Sequence, residues 1–165
     1  MKKISYLLIS LILLLNISAC TGYKPIFSSS NIEFKITDYS ITGDKKLGNQ
    51  IYSKLYNLSQ TTRNTSEVKN IHILINVLKE KNATVKSSAG KILAYKINLS
   101  TTVIVKNFNT GNQILNENFA YSSSYKVQDL YSETIKLENR AIENLINKMY
   151  QDLLIKMSKI ILTKW

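Results

Sequence analysis

The pattern of apolar and polar positions changes period three times along the chain. Over residues 32–41 it alternates as on a strand, with Ile32, Phe34 and Ile36 on one side. Tyr39 and Ile41 continue in the opposite phase, so one extra residue, a β-bulge, is expected near Thr37-Asp38. Thr42-Gly43-Asp44 ends that strand and offers a helix cap. Beyond it Leu47, Ile51, Leu55 and Leu58 recur at spacings of four, four and three, which predicts an amphipathic helix over 44–59. Residues 60–70 are polar and carry no apolar period, so they read as a loop.

Ile71, Ile73, Ile75 and Val77 place four β-branched side chains on one face of a strand running towards Val85. Lys86-Ser87-Ser88-Ala89-Gly90 has the chemistry of a hairpin connection. Leu93, Tyr95, Ile97, Leu99, Val103 and Val105 then share one face of a third strand, with Thr101 the polar exception. The opposite face, with Lys96, Asn98, Ser100 and Thr102, is polar apart from Ile92, Ala94 and Ile104, so one side of the sheet is covered and the other mostly wet. Asn107 to Asn112 is turn chemistry, and a fourth strand over 113–126 turns Leu115, Phe119, Tyr121 and Tyr125 inward. From 129 the period becomes helical, with Ile135, Ile142, Leu145, Ile146, Met149, Leu153, Met157 and Ile160 on one stripe. A helix over 129–162 would measure about 50 Å, longer than one face of a small domain, so its end is expected to project or bend. Two amphipathic helices need an apolar surface and the sheet supplies one. The expected fold is α+β: a two-layer sandwich of two helices on a four-stranded, mainly antiparallel sheet, in the order β-α-β-β-β-α, forming a single domain over 32–165.

The N-terminal segment belongs to none of this. Lys2 and Lys3 precede the apolar run 7–15, which has the length of a secretory h-region and falls short of the roughly 20 residues a membrane span needs. Ile17-Ser18-Ala19-Cys20 resembles the lipobox of bacterial lipoproteins. Small residues at 18 and 19 let the backbone enter a signal peptidase extended, and a cysteine thiolate is a good nucleophile. The resemblance implies that residues 1–19 leave as a signal peptide and that Cys20 carries a diacylglycerol and an N-acyl chain. Two or three chains together hold a protein to a bilayer where one holds only marginally. Residues 20–31 then form a lipidated tether in which Gly22 and Pro25 exclude helix, Tyr23 to Phe27 provide an aromatic clip, and Ser28-Ser29-Ser30 act as a spacer. Thr21 stands where well-studied lipoproteins retained in the inner membrane have aspartate, which implies the outer membrane, periplasmic side.

Charge narrows the partners. Removal of the first 19 of 165 residues leaves 146, and the formal charge of +11 falls to +9 with the loss of Lys2 and Lys3. In an exported chain this argues against nucleic acid and for anionic lipid, lipopolysaccharide or an acidic partner. A Lys-, Asn- and Ile-rich composition can also follow from genome base composition, so only clustering of charge on one face would carry meaning. Cys20 is the chain's one cysteine, which excludes an intrachain disulfide.

Catalytic chemistry lacks parts. His72 is the single histidine and sits in a strand pattern, where it reads as structural; no phosphate-binding glycine loop is present, and no metal set can be assembled from these residues. Glu133 and Glu138, the closest helical carboxylates, miss the i, i+4 spacing and are expected to be solvated. No catalytic residue, metal or cofactor is expected beyond the acyl chains on Cys20, and the chain reads as a binding or assembly protein.

Taken in order, these pieces resemble the LPS-assembly lipoprotein LptE family, in its alphaproteobacterial form. The likeness rests on the lipobox followed by Gly22-Tyr23-Lys24-Pro25-Ile26-Phe27, on Asn109-Thr110-Gly111 in the last hairpin, and on Ser124-Tyr125-Lys126-Val127 before the final helix, with Tyr131 and Arg140 beyond. Thr21 between Cys20 and Gly22, and Glu138-Asn139-Arg140-Ala141 in place of an alanine-richer segment, depart from the pattern. The resemblance implies a plug and assembly factor for an LptD-type outer-membrane β-barrel that contacts lipopolysaccharide. Lys79, Lys81, Lys86, Lys91 and Lys96 are the candidate lipopolysaccharide contacts, and the same five also suit a strand edge kept soluble by lysine. The alternative reading is a periplasm-facing lipoprotein scaffold of another envelope machine, with no lipopolysaccharide role.

Overall fold

The computed structural model describes residues 34–61 and 68–164. The signal segment 1–19, Cys20, the tether 20–31, Ile32 and Trp165 lie outside the described residues. Six elements follow one another: β1 (Phe34–Gly43), α1 (Lys45–Thr61), β2 (Lys69–Lys86), β3 (Ile92–Asn107), β4 (Gln113–Lys126) and α2 (Tyr131–Lys164). The strands form one sheet in the order β1-β2-β3-β4. β1 runs parallel to β2, and the other two pairings are antiparallel, so the sheet is mixed and mostly antiparallel. Both helices lie on one face of it.

The alternation read from the sequence sets this arrangement. Ile36 pairs with Ile71 and Asp38 with His72, so Thr37 is the extra residue of a bulge and β1 changes phase there, as expected. The bulge turns Asp38 to the face away from the helices and Ile41 towards them. β1 ends at Gly43, whose φ of 74° reverses the chain so that the Asp44 amide can donate to the Val77 carbonyl at 2.7 Å. Asp44 then caps α1 by accepting the Leu47 amide on Oδ1 at 3.1 Å. Close packing of this helix on β1 depends on Gly48, where a Cβ would stand 2.4 Å from the Ile41 Cγ2.

The core is the layer between sheet and helices. Phe34, Ile51, Leu55, Ile71, Ile73, Ile75, Ile97, Leu99, Ile146, Met149 and Leu153 are its fully buried large side chains. At about 1.5–3 kcal/mol for each buried large aliphatic or aromatic side chain, this layer supplies most of the favourable free energy of folding. α2 stays on the sheet at least as far as Ile160: β2 and β3 are themselves about 50–60 Å long, and Met157 and Ile160 still face Phe34 and Leu115 at the far end. The expectation of a projecting end assumed a shorter sheet.

One core position breaks the apolar pattern. Thr101 on β3, opposite Val77 and Phe119, is 1% exposed, and its hydroxyl finds no partner among the described residues. A buried unsatisfied hydroxyl costs on the order of 1–3 kcal/mol. Thr101→Val removes it at nearly the same volume and is expected to stabilise the domain by about 1 kcal/mol. A urea midpoint that stays put or falls would show that the hydroxyl is satisfied.

Candidate functional site

α1 begins just after its cap Asp44, beside Val77, so the helix layer over β2 stops there. β1 stops at the same height, since Gly43 is its last residue paired with β2. From Leu78 to Lys86 β2 therefore continues about 30 Å beyond its parallel partner, paired to β3 alone. The residue types change where the cover ends. Ile71, Ile73, Ile75 and Val77 are buried under α1, and the next two residues on the same face are Lys79 and Lys81. Thus β2 is a central strand in its first half and an edge in its second, where lysine suits it.

The five lysines singled out from the sequence divide into two sets. Lys79 stands 3.9 Å from Asp44, and Lys81 donates to Glu138 of α2 at 2.5 Å. The same Glu138 oxygen accepts the Tyr125 hydroxyl at 2.8 Å, and the Lys81 ammonium lies 4.4 Å from the Tyr95 ring centroid, with Tyr95 stacked on Tyr125. Burial alone would lift the Glu138 carboxyl; hydrogen bonds from Lys81 and Tyr125, with the charges of Lys81 and Lys79, hold it below its ordinary 4.5. Burial works against the Lys81 ammonium, and Glu138 and Tyr125 more than compensate, so its pKa is raised. Glu138, expected to be solvated, is instead the centre of a clasp joining β2, β4 and α2, because the overhang brings Lys81 across to it. Glu133 is the solvated one of that pair, bridged to Lys136 at 2.8 Å.

Lys86, Lys91 and Lys96 form the second set and carry no ion pair among the described residues. Lys86 and Lys91 flank the β2–β3 turn, and Lys96 lies on the open face. Lys126, which sequence reasoning passed over, joins them: it pairs with Ala94 on the neighbouring strand and is exposed. The same pole gathers exposed apolar side chains, with Val85 and Leu93 on the hairpin, Leu130 66% exposed and Tyr131 79% exposed at the start of α2. Val127 donates to the Leu93 carbonyl at 2.9 Å and holds the two segments together. Glu80, opposite Asn98 on the face that carries Lys96, and Asp129 and Glu133 before and in α2 are the acids of this region, and Glu133 is taken by Lys136. A cluster of ammonium groups beside apolar and tyrosine side chains fits an amphiphile with anionic head groups. Only the pairing of β3 with β4 brings Lys126 here; its spacing in the sequence gives no sign of it.

Two further features are placed by the fold. His72 faces Asp38 at 3.5 Å on the open side of the sheet, brought opposite it by the bulge at Thr37. A groove of 630 Å³ between the helices is floored by Leu47, Ile142 and Ile146 and rimmed by charges of both signs. Its carboxylates Asp44 and Glu138 are already answered by Lys79 and Lys81.

Compared by sequence, the chain matches no protein-family model and no curated protein. Compared by structure, it is similar to a presumptive lipoprotein from Caulobacter crescentus, with a TM-score of 0.58 and 12% identity over 78% of this chain and 92% of that one. An uncharacterised lipoprotein B from Nitrosomonas europaea gives 0.53 and 12% over 78% and 86%. The rare lipoprotein B of Shewanella oneidensis gives 0.50 and 13% over 74% and 94%. At such identities the likeness speaks for the backbone alone, and over most of its length the chain has the α+β fold found in these lipoproteins.

Proposed function

We propose that this chain is an outer-membrane lipoprotein, acylated at Cys20 and facing the periplasm, that forms a complex with an LptD-type β-barrel. In it the domain acts as plug and assembly factor while lipopolysaccharide passes to the outer leaflet. The observation that carries this reading is the pole where Lys86, Lys91, Lys96 and Lys126, without an ion pair among the described residues, stand beside Val85, Leu93, Leu130 and Tyr131. Lipid A joins phosphates to acyl chains, and the pole offers ammonium groups and apolar side chains side by side. The open sheet face suits the rest of the role: Asn76, Asn98, Ser100, Thr102, Asn116, Asn118 and Ser122 form a polar stretch across its middle, with Leu74, Leu78 and Ile104 as apolar exceptions, and such a surface is compatible with the polar lumen of a transmembrane barrel. The fold shared with rare lipoprotein B, an LptE-like lipoprotein, supports the same reading.

The test has two arms. The full lipidated chain, used as bait on detergent-solubilised outer membrane, is expected to retain a large β-barrel protein; recovery with inner-membrane or barrel-insertion components alone would remove the proposed complex. Replacing Lys86, Lys91, Lys96 and Lys126 together with glutamine is expected to weaken binding to purified lipopolysaccharide at least about tenfold at low salt, and less at high salt. Lys79→Gln with Lys81→Gln is expected to do much less, because those ammonium groups already have carboxylate partners. Equal losses from the two sets would remove the pole as the contact.

A further inference from the structure

The sheet has three stretches of free edge among the described residues, and two of them are guarded. The outer side of β1 is broken by the bulge at Thr37 and carries Lys35 and Asp38, and the overhang of β2 carries Lys79, Lys81 and Lys86. β4, the last strand of the order, has neither device. It pairs with β3 without a register shift from Leu115 to Lys126. Between Ile114 and Tyr125 it holds no proline or lysine, and its one charged side chain there, Glu117, is already bridged to Lys156 of α2 at 2.6 Å. Nor does α2 close over it: a groove flanked by Asp152, Ile155 and Lys156 lies open along Asn118 to Tyr121. Val127 donates to the carbonyl of Leu93, which stands opposite it in the same register, so the odd-numbered residues of β4 exchange hydrogen bonds with β3 and the even-numbered ones turn theirs outward. Asn116, Asn118, Ala120, Ser122 and Ser124 thus present N–H and C=O groups to the free side, with no backbone partner among the described residues.

We infer that this edge pairs with β4 of a second copy of the chain, antiparallel about a two-fold axis at Ala120. The geometry sets the register. Only even-numbered residues have groups to offer, so even must face even, and the alignment of that kind that overlaps the whole strand puts Ile114 opposite Lys126 and Ala120 opposite Ala120 of the second copy. Asn118 then faces Ser122 and Asn116 faces Ser124 on the open side of the sheet, amide against hydroxyl, and no two like charges meet. The outward groups of the two strands close about ten ladder bonds, as many as a protein–protein interface of standard size carries. The two sheets join into one, with the helices of both copies on the same face. This inference does not rest on the proposed function and describes the chain outside any barrel complex. The tethers leave the pair at opposite ends, and residues 20–33 reach up to about 45 Å, so an acylated Cys20 on each copy can still enter one bilayer with the pair lying along it.

Sedimentation of the full chain tests this and needs neither lipopolysaccharide nor a barrel partner. Produced with its leader, purified from a bacterial envelope and held in excess detergent, the chain is expected to be dimeric at about 10 μM. Charge placed at facing positions decides whether β4 is the seam. Asn118→Lys with Ser122→Lys sets lysine opposite lysine twice and is expected to weaken dimerisation at least about tenfold at low salt. Asn118→Glu with Ser122→Lys sets glutamate opposite lysine instead and is expected to bring it back to within about threefold of the parent. Both positions are exposed, so neither change disturbs the core, and a dimer held only by acyl chains sharing a micelle would not tell the two variants apart. A parent chain still monomeric at about 100 μM, or two variants that dimerise equally well, would overturn the inference.

Discussion

Replacing Gly43 with alanine is expected to cost more than about 3 kcal/mol, the largest loss from any single methyl group added to this domain. Two costs coincide there. The residue has a φ of 74°, which an L side chain adopts at roughly 1 kcal/mol. The new Cβ would also stand 2.1 Å from the Val77 carbonyl oxygen, far inside contact distance. That oxygen cannot retreat freely, because it accepts the Asp44 amide at 2.7 Å, and Asp44 both caps α1 and faces Lys79. Relief of the clash would therefore disturb the cap, worth about 1 kcal/mol, and the seam between β1 and β2. Two other glycines separate the terms. Gly90 and Gly111 also have positive φ, of 79° and 70°, yet an added Cβ meets nothing within 4 Å at either. Their alanine variants should lose about 1 kcal/mol each. Urea unfolding of the three variants side by side decides the matter: a Gly43→Ala loss no larger than the other two would mean that the junction is soft.

The fold was legible because its local patterns agree with one another. The phase change between Ile36 and Tyr39 marks the bulge, and the run Ile71, Ile73, Ile75, Val77 followed by Lys79 and Lys81 marks the place where the first helix stops covering β2. What the pattern could not carry was length in three dimensions. A helix of the length of α2 looks too long for a domain of this size until the sheet is known to overhang β1. A periodic sequence states which face of an element is buried; it does not state how far its neighbour extends.

The candidate site was legible in part for the same reason. Lysine density near the second hairpin is visible in the sequence, yet density alone cannot separate Lys79 and Lys81, which are held by Asp44 and Glu138, from Lys86, Lys91 and Lys96, which are not. Nor can it reveal Lys126, Leu130 and Tyr131, which reach the pole through the register of β3 with β4. Glu138 was missed because its partners, 57 and 13 residues away, lie on two strands of the sheet, so helical spacing had no bearing on it.

Glu138→Ala should open the overhang locally, with amide exchange across Leu78–Lys86 rising about 30-fold at pH 7 while exchange in the half of β2 paired to β1 hardly changes. The overhang lacks both β1 and α1, and Glu138 ties it to α2 through Lys81 and Tyr125. Hydrogen bonds to a charged group contribute about 1.5–3 kcal/mol, and with the Glu138 side chain 15% exposed a value near 2 kcal/mol is reasonable, which is a factor of about 30. The pH dependence follows from the direction of each shift. Glu138 is held below its ordinary 4.5, so its contribution is complete above that value and fades as pH falls through the lower, folded-state pKa. Lys81 is raised above its ordinary 10.5, so its share is complete below that value and fades as pH climbs past it. The clasp should hold at full strength between those limits and loosen on both sides. In Glu138→Gln the amide can still accept a hydrogen bond but no longer titrates, so exchange in the overhang should lose the acid limb of its dependence. Survival of that limb would place the acid-sensitive group elsewhere.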